Sequence, residues 1–284
     1  IQPALGAEYA DNLMATIILN LKHGKANGYN IGRLYNKFHA FHKAGMTLQD
    51  VFTMLEKAAS ELTTKEEPHW EFIAGNIFAY RIEIETSTYW QGASYAEKVE
   101  HMVENKLYGK YLLEYYTPTE LNQLYSDIVL HDRDLLLNYP AISMLYQRYL
   151  VNTHDGKVTE RPQELYFRIA LHLMMAEPKD KRRNYIRSLY NALSTLKLTM
   201  ATPTTTNAGT PFHQLSSCFV DTPEDSLDGI FRAITTFSEV SKMGGAEGIY
   251  MGNIRANGSA IRGFDGAAGG IIPWGRILND TAVA

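Results

Sequence analysis

The chain has 284 residues, 45% hydrophobic and 20% charged, a length and composition that bury a sizeable core in one or two globular domains. Its 27 basic against 31 acidic residues leave a formal net charge of −4, which gives no broad attraction for a nucleic-acid polymer, so any phosphate site must be local. A single cysteine, Cys218, excludes an intrachain disulfide and a multi-cysteine zinc site; with no long apolar run and no basic-then-apolar leader, no membrane is expected and cytoplasmic residence is the default.

From about Ala7 to Lys197 apolar residues recur at i, i+3, i+4 and i+7, which predicts a helical domain over residues 1–197. Over Thr47 to Leu62 the residues Leu48, Val51, Phe52, Leu55, Ala59 and Leu62 share a face, with Thr47 as N-cap. Thr117-Pro118-Thr119-Glu120 offers a cap hydroxyl, a proline at the first helical position and a glutamate for a reciprocal capping box. Asp155-Gly156 between Tyr149 and Glu160 predicts a short surface β-hairpin that serves as a connection. Helices resume over Glu164 to Ala176 and Asn184 to Leu196.

After Leu198 the texture changes to dense Thr, Gly and Pro, placing a domain boundary near residue 198 and a second domain over 198–284. Ser216 to Val220 reads as a strand and Gly248 to Met251 as the next. Between them Ser226 to Lys242 reads as an amphipathic helix with Leu227, Ile230, Phe231, Ile234 and Phe237 inward. Strand, helix, strand is the start of an α/β layer or barrel, and Trp274 to Ala284 starts a further helix. Two strands cannot close a core, so the remaining ones are expected from another chain or an excised continuation.

Cys218 lies in Leu215-Ser216-Ser217-Cys218-Phe219-Val220, after the hydroxyl- and glycine-rich run from Thr202 to Thr210. Hydroxyls and backbone N–H groups there suit an anionic or sugar substrate held against the sulfur; the plainer reading is a capped loop leading into a core strand. Glu224-Asp225-Ser226-Leu227-Asp228 opens a helix, where Asp and Ser are ordinary caps and where an Asp also accepts from a ribose hydroxyl. Arg255 and Arg262 stand seven apart in the glycine-containing stretch Gly252 to Gly263; guanidinium donors suit phosphate oxygens, against the plainer reading of solvated surface arginines.

Taken in order, these segments resemble the large, catalytic subunit of class I ribonucleotide reductases. The matching elements are Thr202-Pro203, Ser216-Ser217-Cys218, Asp225-Ser226-Leu227, Ser241-Lys242, Ile254-Arg255-Ala256 with Gly258-Ser259, and Ile261-Arg262-Gly263. The helical region agrees more loosely, through Glu61-Leu62-Thr63-Thr64 with Trp70, Tyr115-Tyr116, His131-Asp132-Arg133-Asp134 and Arg148-Tyr149-Leu150. The resemblance implies an α plus α/β fold: a helical domain followed by the first strands of the family's ten-stranded α/β barrel, incomplete in this chain.

It further implies that Cys218 is one of two active-site cysteines that supply reducing equivalents. Thr202, Ser217, Gly245 and Ala246 would contact the ribonucleotide substrate, a diphosphate reduced to the deoxyribonucleotide by thiyl-radical chemistry. Asp225, Ser226, Leu227, Lys242, Arg255 and Arg262 would form the allosteric site for a deoxynucleoside triphosphate or ATP. The helix from Ser226 would lie at the interface of a large-subunit dimer. The implied partners are a polypeptide carrying the C-terminal part, a radical-generating small (beta) subunit that holds the metal or radical cofactor, and a thioredoxin- or glutaredoxin-type reductant. No metal is expected in this chain.

The sequence departs from the family where Gly244-Gly245-Ala246 replaces a run of three glycines. It also has no second cysteine, no thiyl-radical cysteine and no Asn-x-Cys-x-Glu motif, so the isolated chain is expected to be inactive, and with no clear N-terminal ATP-cone no overall activity control by that module is expected. The competing reading is a non-catalytic helical nucleotide-binding or regulatory module.

Overall fold

The computed structural model describes residues 31–41, 43 and 45–284; the helical pattern predicted from Ala7 to residue 30 lies outside them. The chain divides into two compact units, one ending at Thr199 and the other running from Met200 to Ala284.

The first unit is helical. Helices α1 (Ile31–Phe41), α2 (Leu48–Ser60) and α3 (Trp70–Trp90) enclose one core, built on Leu34, Phe38, Phe52, Leu55, Trp70 and Ile77. Thr47 starts α2 as expected: its hydroxyl takes the Asp50 N–H at 3.2 Å and the Asp50 carboxylate takes the Thr47 N–H at 2.8 Å. The face predicted for α2 packs inward, with Leu48 and Leu62 at its half-buried margins. Helix α3 is buried on all sides over its first turns, because α2 packs on one side and the 131–148 segment on the other. Gly75 makes that approach possible: a Cβ there would stand 2.4 Å from the Leu137 carbonyl oxygen.

Helices α4 (Tyr95–Glu104), α5 (Tyr111–Tyr115) and α6 (Pro118–Ile128) lead through a 3-10 turn (His131–Leu136) to α7 (Tyr139–Arg148). With α8 (Pro162–Met174) and α9 (Lys179–Ser194), helices α4 to α6 close a second core on Val99, Leu112, Leu121, Phe167, Leu171 and Ile186. Thr117 caps α6 through the Glu120 N–H at 3.2 Å, but the reciprocal glutamate arm of the predicted box is not formed.

The predicted hairpin reduces to a single antiparallel bridge, Asn152 to Val158, around a turn in which Gly156 has φ +80°. It is also more than a connection. Its far end delivers Glu160 into the second core, where the carboxylate accepts from Arg168 Nε and Nη2 at 3.0 Å each, from Tyr108 Oη at 2.7 Å and from the Val151 N–H at 2.9 Å. Four donors on one buried carboxylate satisfy the lone pairs that burial would otherwise strand.

The second unit begins with α10 (Thr202–Asn207), then β1 (Cys218–Asp221), α11 (Leu227–Lys242), β2 (Ala246–Ile249) and α12 (Ile271–Val283). The strands pair in parallel, Cys218 with Ala246 through Asp221 with Ile249, and α11 makes the crossover that such a pair requires. Three sequence expectations need correction. Thr202 to Asn207 is helical rather than loop, since Pro203 lies in its first turn and Thr205 and Thr206 satisfy their hydroxyls on carbonyls four residues back. Strand β2 starts two residues before Gly248, because the turn at Gly244 feeds the chain straight into the sheet and the Ala246 N–H reaches the Ser217 carbonyl at 2.8 Å. Of the five residues expected inward on α11, only Ile230 is fully buried; Leu227 is 66% and Phe231 48% exposed, because two strands cover only part of that face.

Candidate functional site

The parallel pair has two unlike faces. Side chains alternate along a strand, and Cys218, Val220, Ala246 and Gly248 share the exposed face while Phe219, Asp221, Glu247 and Ile249 are half-buried on the other. Cys218 is the first residue of β1 and is exposed, with its Sγ 3.4 Å from Ser217 Oγ. Its register partner is Ala246. Gly245 precedes it in a place with no room for a side chain: a Cβ would stand 2.8 Å from Val240 Cγ1 and 3.0 Å from Phe219 Cε2. The N–H groups of Gly245 and Ala246 are both engaged within the fold, on the Val240 and Ser217 carbonyls.

Helix α10 is lashed to the same end of the sheet. Thr204 Oγ1 donates to the Leu215 carbonyl at 2.9 Å, and Asn207 Nδ2 donates to the Gln214 carbonyl at 2.7 Å and the Met243 carbonyl at 3.4 Å. One amide thus fixes the segments entering β1 and β2 relative to each other. Thr202, Ser217, Cys218, Gly245 and Ala246 therefore all belong to elements gathered at the N-terminal ends of the two strands.

A second group lies beyond the C-terminal ends. Ser226 caps α11 through the Gly229 N–H at 3.0 Å. Asp225, just before it, accepts from Arg255 Nε at 2.8 Å and from the Arg255 N–H at 3.2 Å, while Arg255 Nη2 reaches the Asp225 carbonyl at 3.3 Å. The loop after β2 is thereby fastened to the start of α11. Arg262, at φ +52° in that loop, is exposed and makes no ion pair or hydrogen bond among the described residues. Leu227 joins this group as an exposed residue of the first turn of α11. Lys242 does not: it is the last residue of α11, about 22 Å along the helix from Leu227, and stands at the Cys218 end.

Sequence reading missed Asn207, Thr204 and Glu247. The first two were absorbed into a hydroxyl-rich loop, although an Asn one residue before Ala208-Gly209 is an ordinary sign of a helix end. Glu247 lies on the half-buried face; burial, and then the neighbouring Asp221 charge, raise its pKa, and its Oε2 has no hydrogen-bond partner. Among the described residues no group of three or more His, Cys, Asp or Glu side chains is placed to hold a metal ion, and no helix is long and apolar enough to cross a membrane.

Two family profiles match in chain order: "Ribonucleotide reductase, all-alpha domain" over residues 135–213 and "Ribonucleotide reductase, barrel domain" over residues 216–284. The chain belongs to the ribonucleotide reductase large-subunit family. Among curated proteins, the chain is 43% identical over 259 residues to the ribonucleoside-diphosphate reductase subunit alpha of Treponema pallidum, covering 90% of this chain and 30% of that protein. It is 32% identical over 244 residues to the subunit alpha of Synechocystis, covering 85% of this chain and 31% of that protein. It is 30% identical over 246 residues to subunit alpha of reductase 1 of Escherichia coli, covering 86% and 32% respectively. The chain thus spans about a third of the length of the curated relatives it matches. An all-alpha region followed by the start of the reductase barrel, with two parallel strands, is the fold expected from the sequence.

Proposed function

We propose that this chain is the N-terminal portion of the catalytic subunit of a ribonucleoside-diphosphate reductase, with residues 1–197 as its helical domain and 198–284 as the start of its barrel domain. Replacing a ribose 2′-hydroxyl by hydrogen releases water and takes two electrons and two protons from a pair of thiols that become a disulfide. Cys218 supplies one of those thiols, and its exposure on the same sheet face as Ala246, beside Ser217, is the observation that carries the reading. The second thiol, the thiyl-radical cysteine and the acid/base carboxylate lie outside these 284 residues and belong to the polypeptide that completes the barrel.

In this reading Thr202 and Ser217 offer hydroxyls to the ribonucleotide. Gly245 and Ala246 serve by being small, since their N–H groups are already bonded. The Asp225–Arg255 pair with Arg262 forms a site for a deoxynucleoside triphosphate or ATP: Asp225 faces the sugar, and Arg262 and the Arg255 Nη1 hydrogens remain for phosphate oxygens. Ser226 and Leu227 border that site, and Lys242 reaches an effector only from the far end of α11, a helix whose exposed Leu227 and Phe231 suit a large-subunit dimer. A radical-generating small subunit and a thioredoxin- or glutaredoxin-type reductant complete the cytoplasmic enzyme.

The test is reconstitution. The chain is combined with a polypeptide carrying the remainder of the large subunit, a small subunit and a dithiol reductant, and deoxyribonucleotide formation is measured. Turnover that needs both polypeptides and vanishes in Cys218→Ser is the expected result. Turnover by the 284-residue chain alone, or unaltered turnover in Cys218→Ser, overturns the reading; nucleotide binding without turnover in any combination favours a non-catalytic module.

A further inference from the structure

The helical unit contains a cleft of about 590 Å³, floored by α3 and walled by α2, by Tyr146 of α7 and by the turn at 156–158. That size accepts a small organic molecule. Its polar groups converge on Arg81, whose guanidinium lies 4.0 Å from the Phe78 ring centroid and 5.3 Å from that of Tyr146. Arg81 faces two carboxylates, Glu56 at 3.2 Å and Glu85 at 3.9 Å. Gln49 bridges the cluster when its amide is turned so that both ends are satisfied, its oxygen then accepting from Arg81 Nη1 at 2.7 Å and its nitrogen donating to Glu85 Oε1 at 3.2 Å, and Tyr146 Oη donates to Glu85 Oε2 at 3.1 Å.

The charges do not balance. Two carboxylates oppose one guanidinium, and Lys157 at the rim is paired with Asp155 at 3.0 Å. Glu56 Oε1 and Arg81 Nε are both buried without a hydrogen bond, their close approach lying off the N–H direction. Burial raises the pKa of both carboxyls, Glu56 to about 7, with Arg81 opposing; besides Arg81, the groups facing them are Tyr139 and Tyr146 of α7. A proton supplies the missing positive charge in the empty cleft, and a cationic guest would supply it instead. An anion finds the opposite: Arg81 is already engaged, and Glu85 repels it.

We propose that this cleft binds a small organic cation, a primary ammonium on an aromatic stem, with the ammonium on Glu85 and the stem against Tyr89, Tyr146 and Ile84. Tyrosine rings and aliphatic walls suit such a stem, and a cation beside aromatic faces gains further attraction.

The experiment is an NMR titration of the full chain with 2-phenylethylamine, with phenylacetate and 2-phenylethanol as anionic and neutral controls of the same shape. Saturable binding of the amine is expected, tightening from about pH 6 to about pH 8 as the competing proton leaves. Glu85→Gln should weaken it about tenfold or more, the order of one charge-assisted hydrogen bond. Thr88→Trp, which fills the cleft from an exposed position, should abolish it, and it decides the matter where Glu85→Gln disturbs folding. No saturable binding, equal binding of phenylacetate, or an affinity unchanged in Thr88→Trp overturns the proposal.

Discussion

Replacing Arg168 by Met removes the guanidinium from the fully buried pair with Glu160 while keeping most of the aliphatic volume. The carboxylate would retain Tyr108 Oη and the Val151 N–H but lose its two charge-assisted bonds and its buried counter-ion. Breaking a buried pair from one side costs about 3–5 kcal/mol, a large share of the roughly 5–15 kcal/mol that stabilises a domain. At about 2–4 °C per kcal/mol for a unit of this size, the midpoint of thermal unfolding should fall by about 6–20 °C. Circular dichroism at neutral pH measures this, and a urea titration should show the midpoint falling at constant slope. Adding Glu160→Gln to the variant removes the stranded charge while the carboxamide oxygen still accepts from the Val151 N–H and its NH2 can donate to Tyr108 Oη, so at least half of the loss should return. An Arg168→Met midpoint within about 2 °C of the wild type, or no recovery in the double variant, would refute the assignment of this pair as a charge that must be matched.

Gly245→Val forces a side chain between Val240 and Phe219 and should cost about 1–3 kcal/mol, read as faster amide exchange in β2, whereas Gly248→Ala meets only the Phe219 carbonyl oxygen at 3.9 Å and should be tolerated. The Asp225–Arg255 pair is a third exposed or more, so Asp225→Ala should lower stability by only about 0–1 kcal/mol while sharply weakening deoxynucleoside triphosphate binding by calorimetry; a parallel loss of both would point to a purely structural role. Burial raises Glu56 from 4.5 to about 7 and Asp134 from 3.8 to about 6, so the folded chain holds protons that the unfolded chain releases, and this stabilisation, full below about pH 4, is lost as pH rises to about 7. His131, held down to about 4 by burial, acts in the opposite sense between its folded value and 6.5, so the informative quantity is a difference. Glu56→Gln should gain stability relative to the wild type as pH rises from about 4.5 to about 7, and a constant difference across that range would contradict the assignment.

Local signals in the sequence were readable because each acts within a few residues. Thr47, Thr117 and Ser226 cap helices where a hydroxyl precedes an apolar period, and the α2 face follows from spacing alone. What sequence reading missed depends on partners distant along the chain. Nothing around Glu160 announces that Tyr108, 52 residues away, will share its carboxylate, so the segment read as a plain connection. The threonine run at Thr202 has poor helix propensity, and its helix is held by Asn207 and Thr204 through carbonyls 7 to 36 residues away. In the candidate site, Asp225 and Arg255 were both legible as residues but not as a pair 30 positions apart. The amphipathic face of α11 was read correctly as apolar; its exposure reflects how little of the sheet these residues contain.

The sheet face that displays Cys218 has a consequence for how the protein is made. Val220, 86% exposed, lies in β1 of a sheet that is only two strands wide among the described residues, so each strand keeps an outer backbone edge. Such a surface offers ready-made pairing to any extended segment it meets, including its own copies. Wherever these residues stand without covering strands, solubility becomes a matter of timing: whatever covers the open edges must arrive before another copy does.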